Sequence, residues 1–348
     1  MKNNVLKFTQ EHALEIPQAT LEMGVANTLS KHTEFTIDRI ITQSNKDKYY
    51  DPDQPLQEHD YLDEVFELMV GLNKQGLSID SLGVVFNGGP SFKDCLLEAC
   101  KNIALEFADM PMTYVELGPE PIKTAYILKT LKLLGVQVSH YIAVDINPAS
   151  EKHMRPVLEE TLPDTKFDFV TSSFEEFSLE KFLNATGNNE RYSPALVTML
   201  GFQEGNDDPA IMSSWLENVM RSGDMLLSEV QLYNVSSDIN ISDFYKNPLM
   251  QRFSRIAFEQ AISNTLPSLN RFFLLPVETV NSGYITAAIM AEEFVSQAGV
   301  RSLFVSNYCL KYTKEQYEAQ RTYTEAFEVL DALPTEDQSL VFQISKKV

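Results

Sequence analysis

Apolar residues Leu62, Val65, Phe66, Met69 and Val70 fall at i, i+3, i+4, i+7 and i+8, the spacing of one helix face. Leu96, Leu97, Cys100, Ile103, Ala104 and Phe107 repeat that pattern. Between the two, Asn87-Gly88-Gly89-Pro90 reads as a turn and Ser91 as the N-cap of the second helix. The first 55 residues are polar and irregular. From residue 112 short apolar runs alternate with helical stretches. Strands are predicted at Thr113–Leu117, His140–Asp145, Phe167–Thr171, Ala195–Leu200 and Met225–Val230. Helices are predicted at Ile122–Leu134, Ala149–Glu160, near Glu175–Leu183, and at Pro209–Met220. This alternation predicts an α/β fold, a parallel sheet with helices on both faces and ligands at the C-terminal edge of its strands. After residue 231 the alternation stops. Asn234–Asn270 reads as helical and mixed, Thr313–Leu330 as helical, and Phe272–Leu275, Tyr284–Met290, Leu303–Ser306 and Leu340–Ile344 as strands. This is a second lobe, with some strands returning to the main sheet.

Composition narrows the function classes. Among 348 residues, 28 Lys and Arg oppose 49 Asp and Glu, a formal net charge of −21. Nucleic acids and anionic membranes need a basic footprint, so neither is an expected partner. Three cysteines exclude a disulfide framework and a four-cysteine zinc site, and the five histidines form no HxxxH pair. No metal is expected. No secretory signal is visible and no apolar run approaches the ~20 residues that span a bilayer, so a cytoplasmic location is the expectation.

The segment Thr113–Thr124 carries the most chemistry. A strand ends at Glu116, Gly118 permits a sharp turn or a close backbone approach, and Pro121 suits the first turn of the next helix. Lys123 sits in that first turn, where a cation opposes the helix dipole; a ligand carboxylate would explain the placement. Asp145, at the tip of the second strand of the alternating region, is placed to accept hydrogen bonds from ribose hydroxyls, or else to cap a helix. Ser173 and Phe174 follow the third strand and suit an adenine ring, or else a helix cap and a core position. Neither GxGxxG nor GxxxxGK[ST] occurs, which disfavours a nicotinamide oxidoreductase and excludes a P-loop.

Together these segments resemble the S-adenosylmethionine-dependent histidine Nα-methyltransferase family of ergothioneine biosynthesis and its amino-acid N-methyltransferase relatives. The family's ELG and Lys-Thr correspond to Glu116-Leu117-Gly118 and Lys123-Thr124. Its second-strand Asp corresponds to Asp145, and its Asp-Phe to Ser173-Phe174. Its FLGGTIGN corresponds to Met199-Leu200-Gly201-Phe202-Gln203-Glu204-Gly205-Asn206. Its Tyr-Tyr pair resembles Tyr49-Tyr50, and its TExSxK(Y/F) motif resembles Ser306–Tyr312.

The resemblance implies a class I methyltransferase-like Rossmann sheet with a second, mixed α+β substrate lobe. Residues 1–110 would form a helical extension contributing to the substrate lobe. Residues 111–231 would form the S-adenosylmethionine-binding core, and residues 232–348 the second lobe. Glu116, Gly118, Lys123, Asp145, Ser173 and Phe174 would hold the cofactor. Asn206 and Tyr50 would act in catalysis, and Tyr49, Gly201, Tyr245, Asn307 and Cys309 would contact a small-molecule amine. Tyr50 and Tyr245 would bind its carboxylate through their hydroxyls. Asn307 stands where the family has the Glu that helps read the imidazole, and Cys309 where it has Ser, so an amino acid or derivative other than histidine is expected. The turn Pro119-Glu120-Pro121 is one residue shorter than the family's and lacks its second glycine. That departure keeps open a catalytically silent binding or regulatory protein. The acidic surface keeps open a methyltransferase acting on a basic protein partner.

Overall fold

The computed structural model describes residues 21–44, 60–79, 82–84, 88–108, 110–187, 193–234, 237–262, 265–280 and 282–348. The chain begins with α1 (Leu21–His32), β1 (Ile40–Thr42), α2 (Asp60–Ser78) and α3 (Phe92–Glu106). Ser91 caps α3 in a capping box with Asp94. The alternating region supplies β2 (Met112–Leu117), α4 (Pro121–Leu133), β3 (Val138–Asp145), α5 (Ser150–Thr161), β4 (Lys166–Thr171), α6 (Leu179–Ala185), β5 (Ala195–Met199), α7 (Pro209–Val219) and β6 (Met225–Gln231). Then come α8 (Asp238–Lys246), α9 (Pro248–Ala261), β7 (Pro267–Thr279), β8 (Gly283–Val295), β9 (Arg301–Lys311), α10 (Lys314–Thr322), β10 (Phe327–Pro334) and β11 (Leu340–Lys347).

The main sheet has seven strands in the order β10-β11-β6-β5-β2-β3-β4. All neighbours are parallel except at β11, which runs antiparallel to both β6 and β10. This is a doubly wound, Rossmann-like α/β sheet closed by an antiparallel pair at one edge. Its central strands are apolar on both faces, as strands covered on both sides must be. Tyr114, Tyr141, Leu196 and Leu227 pack with α3, α4 and α5. Val115, Ile142, Val197 and Leu226 pack with α6 and α7 on the opposite face. The chain passes from β2 outward to β3 and β4, then returns to the other side of β2 as β5. That reversal opens a crevice beyond the C-terminal ends of β2 and β5.

The second sheet, β1-β9-β8-β7, is antiparallel except where β1 joins β9. The N-terminal α1 covers one face through Leu21, Val25 and Leu29. On the other face α8 and α9 pack through Ile241, Tyr245 and Met250 against Ala288, Met290 and Cys309. Side chains alternate along β9, so Tyr308 and Leu310 join the α1 side while Cys309 faces α8.

Three predicted elements change. The helix expected over 313–330 ends at Thr322, and Phe327–Pro334 is an edge strand of the main sheet. Along that half-exposed strand Phe327, Leu330 and Leu333 lie three apart, a spacing that mimics a helix. Helix α6 starts at Leu179, four residues later than expected. The irregular N-terminus contains α1, whose Leu21, Val25 and Leu29 follow i, i+4, i+8.

Candidate functional site

A cavity of about 700 Å³ opens at the crevice. Its floor is the C-terminal edge of β2, β3, β5 and β6, and its walls come from α2, α8, α9 and β9. Glu116, Gly118, Lys123, Asp145, Gly201, Asn206, Tyr245, Asn307 and Cys309 all border it. The structure therefore brings together residues that lie up to 193 positions apart in sequence. Ser173 and Phe174 are not among its lining residues. The Phe174 ring packs on the Val115 side of the main sheet, because α6 begins downstream and leaves the segment turned into the core. Tyr49 and Tyr50 lie outside the described residues.

Gly118 follows β2 with φ +70, a conformation that favours glycine. A Cβ here would stand 2.4 Å from Gln203 Nε2. The Gln203 carboxamide thus lies in the crease above Gly118, and its Oε1 is buried without a hydrogen-bond partner. A flexible side chain with an unmet acceptor is readily displaced by a ligand that donates a hydrogen bond. The Asp145 carboxylate, at the tip of β3, accepts the Asn147 backbone N–H at 2.9 Å. Burial pushes its pKa up to about 7 despite that bond. A vicinal diol could donate to this carboxylate, and the crease and Asp145 together fit the ribose and sulfur ends of an adenosyl sulfonium.

The expectation for Lys123 does not hold. Its ammonium lies 2.6 Å from Glu229 Oε2 on β6, with both side chains buried. The N-terminus of α4 is likewise occupied, because the Glu120 carboxylate accepts the backbone N–H groups of Ile122 and Lys123. The chain's own acid thus caps the dipole that a ligand anion would have used. Glu116 is equally internal. Its carboxylate accepts Tyr141 Oη at 2.6 Å and Thr124 Oγ1 at 2.6 Å. Burial raises its pKa to about 8, so the carboxyl is largely protonated at neutral pH.

The loop after β5 borders the other half of the cavity. Gly201 and Phe202 both have left-handed backbone, φ +74 and +65, and the Gly201 N–H donates to Glu229 Oε2 at 3.1 Å. Glycine at 205 is dictated by packing, since a Cβ would meet Leu310 O at 2.5 Å and Cys309 Sγ at 2.7 Å. Beneath the loop, Glu204 and Arg321 form a fully buried ion pair. Arg321 also donates to Ser228 Oγ at 3.2 Å and Gln343 Oε1 at 3.1 Å. This anchor presents Asn206 to the cavity.

Tyr245 is a wall rather than a free hydroxyl. It is 2% exposed, its ring stacks on Phe272, and it packs in one cluster with Cys309. Behind it the fully buried Lys311 donates to Cys309 Sγ at 3.1 Å and lies over the Phe202 and Tyr245 rings. Glu120, Gln203, Glu229 and Gln231 were not singled out in the sequence. Glu229 and Gln231 carry a readable signal, since polar residues two apart in an otherwise apolar central strand must face either a partner or a ligand.

No protein-family model matches the chain, and no curated protein matches it. Among solved structures it is similar to the 1,6-didemethyltoxoflavin-N1-methyltransferase of Burkholderia thailandensis, bound to 1,6-didemethyltoxoflavin and S-adenosylhomocysteine. Identity is 12%, over 85% of this chain and 93% of that one, with a TM-score of 0.39. It is also similar to a protein from Thermobifida fusca described as a methyltransferase, at 13% identity over 84% and 99% of the two chains, TM-score 0.45. A Rhodobacter sphaeroides protein described as a zinc-dependent alcohol dehydrogenase is similar at 10% identity over 82% and 98%, TM-score 0.39. The fold assignment rests on strand order and direction.

Proposed function

We propose that this chain is an S-adenosylmethionine-dependent N-methyltransferase acting on an amino acid or amino-acid-derived small molecule other than histidine. One observation carries the reading. Asp145 and the Gly118 crease, at the tips of adjacent parallel strands, open into the same cavity as the Gly201–Asn206 loop. A nucleoside held at the first pair would point its sulfur toward the second.

The cofactor would supply an electrophilic methyl group on a sulfonium. Asp145 holds the ribose, and Gly118 lets the ligand approach the backbone once Gln203 turns aside. Glu229, fixed between Lys123 and the Gly201 N–H, sets negative charge beside the reaction centre. Asn206 orients the acceptor amine, for which in-line positioning supplies much of the acceleration. Helix α2 lays Phe66 and Met69 along the cavity as an apolar wall.

The Gln203 contact and the Glu120 cap favour a second reading, a binding protein that kept the fold without turnover. Calorimetry with S-adenosylmethionine and S-adenosylhomocysteine, followed by a mass-spectrometric screen of amines for a gain of one methyl mass, separates the two. Binding with methyl gain supports the enzyme, and binding without it supports the silent protein. No heat with either nucleoside refutes both.

A further inference from the structure

The cavity's charges point to a narrower substrate class, and this step rests on the methyltransferase reading for what fills the half beside Asp145. A carboxylate is normally held by a cation or a helix N-terminus. Among the described lining residues the single cation is Lys123, 2% exposed and already paired with Glu229. The N-terminus of α4 is closed by Glu120. Neither holder is available to a ligand anion.

The same wall is rich in acceptors. Gln231 is 4% exposed and borders the cavity, and its Oε1 is buried without a hydrogen-bond partner. It stands two residues from Glu229 on β6, on the same face of the strand. An unmet buried acceptor beside a carboxylate is satisfied by a ligand that brings N–H donors and positive charge. Facing them, Met69 and Leu72 on α2 and Phe244 and Phe253 on α8 and α9 present an apolar slot.

We infer that the substrate is an amine with an apolar body and no carboxylate, that it enters as the ammonium and releases one proton to solvent before its nitrogen attacks the methyl group, and that Gln231 selects it by accepting one of its N–H groups. Tyramine and phenethylamine, compared with tyrosine and phenylalanine, test this by calorimetry on the full chain with and without S-adenosylhomocysteine. The amine of each pair is expected to bind at least about tenfold tighter than its amino acid. Gln231→Leu should remove about tenfold or more of the amine affinity. It should leave S-adenosylhomocysteine affinity unchanged and thermal stability equal or higher, since a buried unmet acceptor is removed, which shows that the variant folds. Gln231→Glu should tighten amine binding. Equal or tighter binding of the amino acids overturns the inference, as does an unchanged amine affinity in Gln231→Leu or the failure of both amines to bind. Failure of S-adenosylhomocysteine alone would instead overturn the cofactor reading, because the amine comparison is also made without it.

Discussion

Nucleoside affinity should rise with pH because of one carboxyl group. In the free protein burial holds the Asp145 pKa at about 7, well above the ordinary aspartate range. A ribose diol donating to this group favours its ionised form, so binding lowers the pKa and releases a proton below neutrality. With a free-state pKa near 7, the ionised fraction is about one-eleventh at pH 6 and about ten-elevenths at pH 8, so affinity for S-adenosylhomocysteine should rise about tenfold across that interval. Asp145→Asn keeps the side-chain shape but cannot ionise. It should bind roughly 10–100-fold more weakly at pH 8, the worth of a hydrogen bond to a charged group. Its affinity should also be flat between pH 6 and 8. Calorimetry in two buffers of different ionisation enthalpy measures both the affinity and the released proton. A flat wild-type profile refutes the ribose assignment. A slope retained in Asp145→Asn would transfer the effect to Glu116 or Glu120, whose pKa values burial also raises.

Three stability predictions accompany it. Glu116 has a folded-state pKa of about 8, above its ordinary 4.5, so its contribution is complete below about pH 4.5 and is lost as pH rises through 8. Thermal melts of Glu116→Gln should therefore gain on wild type between pH 5 and 8, and a constant difference refutes this. Arg321→Met leaves Glu204 buried without its cation and should cost about 3–5 kcal/mol in denaturant unfolding, whereas a loss below ~1 kcal/mol would dismiss the anchor. Lys311 is fully buried, has no carboxylate partner among the described residues, and its pKa is lowered by desolvation. Lys311→Met should stabilise the protein by about 1 kcal/mol or more at pH 7. That gain should shrink as pH nears ~10, because the folded state holds the amine neutral first and wild-type stability climbs with pH. A destabilised variant at pH 7 refutes this.

The main sheet was legible because its strands are covered on both faces. Five apolar runs separated by helices of ordinary length admit few arrangements, and each run from Thr113–Leu117 to Met225–Val230 became a strand with ends shifted by two residues or fewer. Legibility failed at the edges. Residues Phe327–Pro334 pair on one side only, and their half-exposed pattern carries no clean period of two. Strand β1 is three residues long, too short for any period, and is held by its pairing to β9 rather than by propensity.

The site divides along the same line. That Asp145 and Gly118 border the cavity at strand tips could be read, because those positions follow from strand order and from backbone geometry, both of which are local. The fate of Lys123 could not, since its placement in the first turn of a helix is explained equally by a ligand carboxylate and by a protein one. Glu229, 106 residues away, decides between them. The same holds for the N-terminus of α4, where Glu120 fills the site that a ligand anion would have used. An acid at this cap position closes a holder for carboxylates at the edge of the sheet. That logic links the acid in the turn Pro119–Pro121 to the unmet acceptor of Gln231 on β6, two features that no local pattern connects and that border one cavity.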